Sequence, residues 1–98
     1  FRAAQKRLVE LGPDAFLATL RGKQLADVDE WQTEMQLKPM RAGRVQLYTT
    51  GLAGDDLMLT GVEHVESVGA AVAAALAHAN DPALAVIPEG PYVVPVVA

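Results

Sequence analysis

Chemistry needs acids, bases, nucleophiles or ligands brought together, and this sequence supplies few of them. His64 and His78 are its only imidazoles, and it has no cysteine. Their separation fits no one-turn ligand pair, in which side chains four residues apart share a helix face. His78, near the end of a predicted helix, is most simply a partner for the negative end of the helix dipole. His64 has no predicted companion. Asp55-Asp56 could offer oxygens to a hard cation, but nothing nearby supplies the remaining ligands, so the pair reads as a solvated loop tip. Gly51-Leu52-Ala53-Gly54 follows a predicted strand, as a phosphate cradle should, yet no helix is expected directly after it. No serine or threonine has an identifiable general base beside it. Trp31 is what remains, set among Asp29, Glu30, Gln32 and Glu34. It either fills the core, where a buried indole N–H needs a partner, or closes a pocket contributed mostly by another domain.

The elements that position these residues follow from spacing. Phe1 to Leu11 reads as a helix with Ala4, Leu8 and Leu11 on one stripe. Gly12 ends it, and Pro13 opens a second helix through Leu20, where its missing N–H costs nothing. Asp27-Val28-Asp29-Glu30 resembles a capping box, so a third helix is expected from Val28 to about Met40. That helix should bury Trp31, Met35 and Met40, be kinked or cut short by Pro39, and stop at a left-handed Gly43. Arg44 to Thr50 alternates as a strand, with Val45, Leu47 and Thr49 on one side. Gly51 to Glu66 is expected as a long loop. Ser67 caps a helix to Ala79, and Asn80-Asp81-Pro82 breaks the chain. Ala83 to Ile87 reads as a buried strand, Pro88 to Pro91 as a tight turn, and Tyr92 to Val97 as a last extended segment. Pro95 would hold that segment at a sheet edge.

Helices alternating with strands favour parallel pairing through a crossover. The expected fold is therefore α/β: a small, incomplete, three-layer-like module with a short, mostly parallel sheet and flanking helices. Residues 1–98 form a single module with one modest core. The helix from Ser67 to Ala79 offers only Ser67 and His78 as polar groups. Its alanines either form a second contact surface or reflect helix propensity alone.

A net charge of −4 with scattered Lys and Arg argues against a nucleic-acid partner. The uncharged run from Ser67 to Ala79 is shorter than the ~20 apolar residues of a membrane span. Absent cysteine and no visible signal peptide favour an intracellular, cytoplasmic setting. A chain that opens on Phe1 is expected to be processed or cut from something longer.

Three stretches carry a family likeness. Val28-Asp29-Glu30-Trp31-Gln32 resembles the Asp-x-Trp-x signature near the end of nickel-dependent lactate racemases. The Val45-Gln46-Leu47-Tyr48 strand is similar as well, as is the closing Val86-Ile87-Pro88-Glu89-Gly90-Pro91-Tyr92-Val93-Val94-Pro95. The likeness runs from about Phe16 to Pro95. It implies the C-terminal domain, truncated at its N-terminal side, of a two-domain racemase or epimerase of 2-hydroxy acids. In such enzymes a nickel-pincer nucleotide, tethered to a lysine, accepts hydride from the substrate's α-carbon while paired histidines act as acid and base. Those groups belong to the larger N-terminal domain, so this chain alone is expected to bind no cofactor and catalyse nothing. The resemblance gives it a part in closing the cleft. Trp31 is the residue carried over, with Asp29 and Gln32 beside it as substrate-cleft residues and no catalytic or metal-binding residue. Pro39 departs from the family, whose helix usually runs longer. The implied partners are the N-terminal catalytic domain of the same chain and a small 2-hydroxy acid, with homo-oligomerisation a further expectation. The competing reading is a non-enzymatic α/β module that binds a partner through its alanine-rich helix.

Overall fold

A computed structural model of the protein describes residues 1–94 and residue 96. Helix α1 spans Arg2–Leu11 and buries Ala4, Gln5 and Leu8. Leu11, expected on the same stripe, is exposed. Gly12 serves two helices at once. Its N–H donates to the Leu8 carbonyl at 2.9 Å, and its own carbonyl accepts from the Phe16 N–H at 3.0 Å. Its φ of 80° and ψ of 163° fall where a Cβ is not tolerated, which is why the junction needs glycine. Pro13 then opens α2, Pro13–Arg21, as expected. Phe16 of α2 is fully buried and forms the core with Ala4, Leu8 and Leu37, with Leu17 and Leu20 packed against it. Each large apolar side chain so buried contributes about 1.5–3 kcal/mol.

Helix α3, Glu30–Ala42, starts two residues later than expected and turns a different face inward. Its buried residues are Glu30, Thr33 and Leu37, while Trp31 and Met35 are exposed and Met40 is half-buried. The apolar residues alone suggested the 31–35–40 stripe. The 30–33–37 stripe wins because Glu30 finds cations inside, and Leu37 meets the α1–α2 core. Pro39 lies within the helix without ending it. It removes one backbone donor, but the Gly43 N–H still closes onto the Pro39 carbonyl at 3.0 Å. Gly43 itself is extended rather than left-handed.

Strand β1 is only Gln46–Leu47, and it pairs in parallel with β2, Glu63–His64. The expected strand from Arg44 to Thr50 is thus cut to its centre. Its alternation survives beyond the ladder: Val45, Leu47 and Thr49 are half-buried, and Gln46, Tyr48 and Thr50 are exposed. The segment from Gly51 to Glu66, read as one loop, instead holds β2 and a short crossover helix α4, Gly54–Met58. A helix therefore does begin after Gly51-Leu52-Ala53, contrary to expectation. Asp55 and Asp56 are its first turn rather than a loop tip, a favourable place for acids. Asp56 is also tied to Arg2 at 2.7 Å.

The chain divides into two compact units, Phe1–Glu66 and Ser67–Ala98. The second is built on α5, Val68–Ala79, capped as expected by Ser67, whose Oγ accepts from the Ala70 N–H at 3.2 Å. A left-handed Asn80 ends it. Val72 and Leu76 are half-buried, Val68 is exposed, and no residue of α5 is fully buried. Ala83 to Ile87 is not the buried strand expected. It is exposed throughout and joins no ladder among the described residues, so apolar content alone did not supply a pairing partner. The turn at Pro88 to Pro91 passes into a 3₁₀ turn over Gly90–Tyr92. Of the expected Tyr92 to Val97 extension, Tyr92 belongs to that turn and Val93 is extended. Pro95 and Val97 lie outside the described residues. The architecture is mixed and helix-rich, with one two-stranded parallel sheet. No described helix is long and apolar enough to cross a membrane.

Candidate functional site

The start of α3 is fixed by an ion cluster beneath it. Glu30 is almost wholly buried, and one of its carboxylate oxygens accepts from Arg7 Nη1 and Lys23 Nζ, both at 2.8 Å. Its second oxygen accepts from Lys23 Nζ at 3.0 Å and from the Asp27 N–H at 2.9 Å. That last bond is the reach-back half of the expected capping box. The other half is missing, because the Asp27 carboxylate turns to Lys23 at 2.5 Å. Hydrogen bonds from Lys23, then the Asp27 N–H, then Arg7 hold the Glu30 carboxyl down at about 2. The same bonds from Asp27 and Glu30 raise the Lys23 ammonium above its ordinary value.

Arg7 extends the cluster into the core. Its guanidinium lies 5.5 Å from the centre of the Phe16 ring, within range of a cation–π attraction. Its Nη2 donates to Thr19 Oγ1 at 2.9 Å, and that hydroxyl donates to the Phe16 carbonyl at 2.7 Å. Helices α1, α2 and α3 therefore meet on one charged knot. A second polar tie joins α1 to α3. Gln5 Nε2 donates to Gln36 Oε1 at 3.0 Å, and Gln36 Nε2 donates to the Thr60 carbonyl at 2.6 Å, just before β2.

On this base stand the three residues assigned to a cleft. Asp29 precedes α3 with φ 68°, a left-handed conformation that aspartate tolerates better than most. Its carbonyl accepts from the Gln32 N–H at 3.2 Å. Trp31 is 61% exposed, and Gln32 is exposed beside it. Successive helical residues are turned by about 100°, so burying Glu30 sends Trp31 outward. The three share one turn by adjacency in sequence. Further along α3 a groove of about 750 Å³ opens between α2 and α3, lined from Glu34 onward rather than by Trp31.

His64 lies in β2 and His78 in the last turn of α5, both exposed. Among the described residues no three His, Cys, Asp or Glu side chains gather as a metal site would require. Across the strand pair Arg44 Nη2 meets Glu63 Oε2 at 2.5 Å and lowers that carboxyl's pKa.

Sequence reasoning missed Glu30 as an anchor, giving it only a capping role. Lys23, from the non-helical connection before α3, left no helical spacing as a signal. Arg7, from another helix, left none. No protein-family model, curated protein or solved structure matches the chain.

Proposed function

We propose that this chain is the C-terminal part of a lactate racemase-like enzyme that racemises or epimerises a small 2-hydroxy acid, as the family likeness implies. In this reading it is a three-layer-like α/β module that helps close the cleft over a nickel-pincer nucleotide held by an N-terminal domain. The observation that carries the reading is Trp31, exposed on a helix start whose neighbouring Glu30 is locked by Arg7 and Lys23. A large aromatic exposed at the surface, on a helix start anchored from below, suits a wall that meets substrate or cofactor better than a core filler. Asp29 and Gln32 flank it at the same boundary. The described residues of this chain do not fit a metal site, so no step through nickel is derived from them.

The test uses the full-length polypeptide, purified with its cofactor and assayed for interconversion of D- and L-2-hydroxy acids. Trp31→Phe is expected to lower turnover about tenfold, equivalent to ~1.4 kcal/mol of transition-state stabilisation. The unfolding midpoint should stay within a degree or so of the parent, as for a surface change. Unchanged turnover, or a full-length protein without 2-hydroxy-acid racemisation, would overturn the proposal. The second reading, an interaction module using α5, is favoured by the absence of any buried residue on that helix. It predicts no activity in any form of the protein.

A further inference from the structure

The pairing of the eight Lys and Arg residues sets three of them apart. Arg2 is held by Asp56 at 2.7 Å and Lys6 by Glu10 at 3.8 Å. Arg7 and Lys23 are held by Glu30 at 2.8 Å each, and Arg44 by Glu63. Arg21, Lys38 and Arg41 remain. Arg21 and Lys38 make no ion pair among the described residues. Arg41 reaches only Asp14, at 4.0 Å, and that carboxylate side chain is 91% exposed. All three line the groove of about 750 Å³ between α2 and α3, over Leu17 and Leu20, with Glu34 as its single acid. In a chain of net charge −4, three cations against one acid make this groove locally positive.

We infer that the groove between α2 and α3 docks an acidic amphipathic helix of a partner polypeptide. Three cations against one acid leave the groove with an excess of positive charge, and an anionic partner supplies the missing counter-charge. The half-buried Leu17 and Leu20 offer an apolar floor, which an inorganic anion would not use. Three cations are too few to track a nucleic-acid backbone. Helix α3 is 13 residues long, about 20 Å, which matches a helical segment of three to four turns. Such a segment would set apolar residues at helical spacing on the floor and carboxylates toward Lys38 and Arg41 on one rim and Arg21 on the other. The inference stands apart from the racemase reading, since it uses neither a cofactor nor the cleft residues.

Trp31 is the only tryptophan. It precedes Glu34, Lys38 and Arg41 at spacings of three, four and three, so it lies on the same helical stripe, one turn beyond the groove. The probe is a synthetic helical peptide with leucines on one face, glutamates on the flanks and no aromatic residue. It is titrated into the 98-residue chain, with Trp31 emission and heat of binding both followed. We expect saturable binding, weakened about tenfold or more between about 0.1 and 1 M salt, as the screening length falls from about 10 to 3 Å. The double charge reversal Arg21→Glu with Arg41→Glu should abolish binding while leaving far-ultraviolet dichroism intact. If that variant does not fold, Arg41→Gln alone should weaken binding several-fold, and Arg41→Lys should restore most of it. Absence of saturable heat overturns the inference. So does equal binding of a lysine-for-glutamate peptide, indifference to the substitutions, or complete displacement by millimolar inorganic phosphate, which would mark a simple anion site.

Discussion

Glu30 has three donor atoms within 3.0 Å, two of them from cationic side chains. A carboxyl held at about 2 when folded, against 4.5 as its ordinary value, makes stability depend on pH in a definite direction. The folded state binds its proton less readily than the unfolded chain. The stabilisation is therefore fully present above pH 4.5 and is lost as pH falls through about 2. Glu30→Gln removes the charge but keeps the shape, leaving Arg7 and Lys23 facing a neutral amide. At pH 7 the variant should melt several degrees below the parent, and the gap should narrow steadily from pH 4.5 to pH 2. A gap that stays constant over that range would assign the loss to packing instead. Lys23 acts oppositely, its raised value giving stability present below pH 10.5 and lost as pH rises through the folded value. Sequence could place Glu30 at a helix start but not reveal its burial, because Arg7 comes from another helix. For the same reason Trp31 was ambiguous: which stripe of α3 turns inward depends on what waits there.

Legibility at the level of elements followed the locality of the signal. The boundaries of α1, α2 and α5 were readable because Gly12, Pro13, Ser67 and Asn80 act through their own backbone or the next turn. The sheet was less so, since a ladder depends on a partner. Val45, Leu47 and Thr49 keep the alternating burial of a strand, but only Gln46–Leu47 finds a ladder. Ala83 to Ile87 has the composition of a strand and no ladder among the described residues. Helix α3 shows the converse, because Pro39 was expected to kink it or cut it short and the helix runs on to Ala42. Proline inside a helix costs about 3 kcal/mol relative to alanine, part of it from the lost N–H bond. The Glu30 cluster and buried Leu37 hold the helix on the N-terminal side of that defect. Pro39→Ala should therefore raise the stability of the Phe1–Glu66 unit by about 1–3 kcal/mol, read as a higher denaturant midpoint at unchanged slope. No gain, or a loss, would show that Pro39 is supported by its surroundings rather than merely tolerated.

Across the whole chain the charges and the core share one unit. All eight Lys and Arg residues fall in Phe1–Glu66, and so do Ala4, Leu8, Phe16 and Leu37, the buried apolar residues among those described. Ser67–Ala98 has only Asp81 and Glu89 as charged side chains, and α5 carries none. Val86, Tyr92, Val94 and Val96 are each more than three-quarters exposed. Composition alone made Ala83 to Ile87 look like a buried strand, because it counts apolar residues without asking what covers them. Exposed apolar surface on this scale is usually covered by something, and the short β1–β2 pair leaves its outer edges open among the described residues. The isolated 98-residue chain should therefore bind an environment-sensitive apolar dye at neutral pH. Its mass by light scattering should rise with concentration over the micromolar range. Placing a charge on an exposed position of α5, as in Ala74→Glu, should weaken the association if α5 is the adhesive face. It should leave association unchanged if a strand edge is responsible, a case that a charge at Tyr48 beside β1 would then address. A mass fixed at that of one chain, with no dye fluorescence, would mean that Ser67–Ala98 covers its own apolar residues in solution.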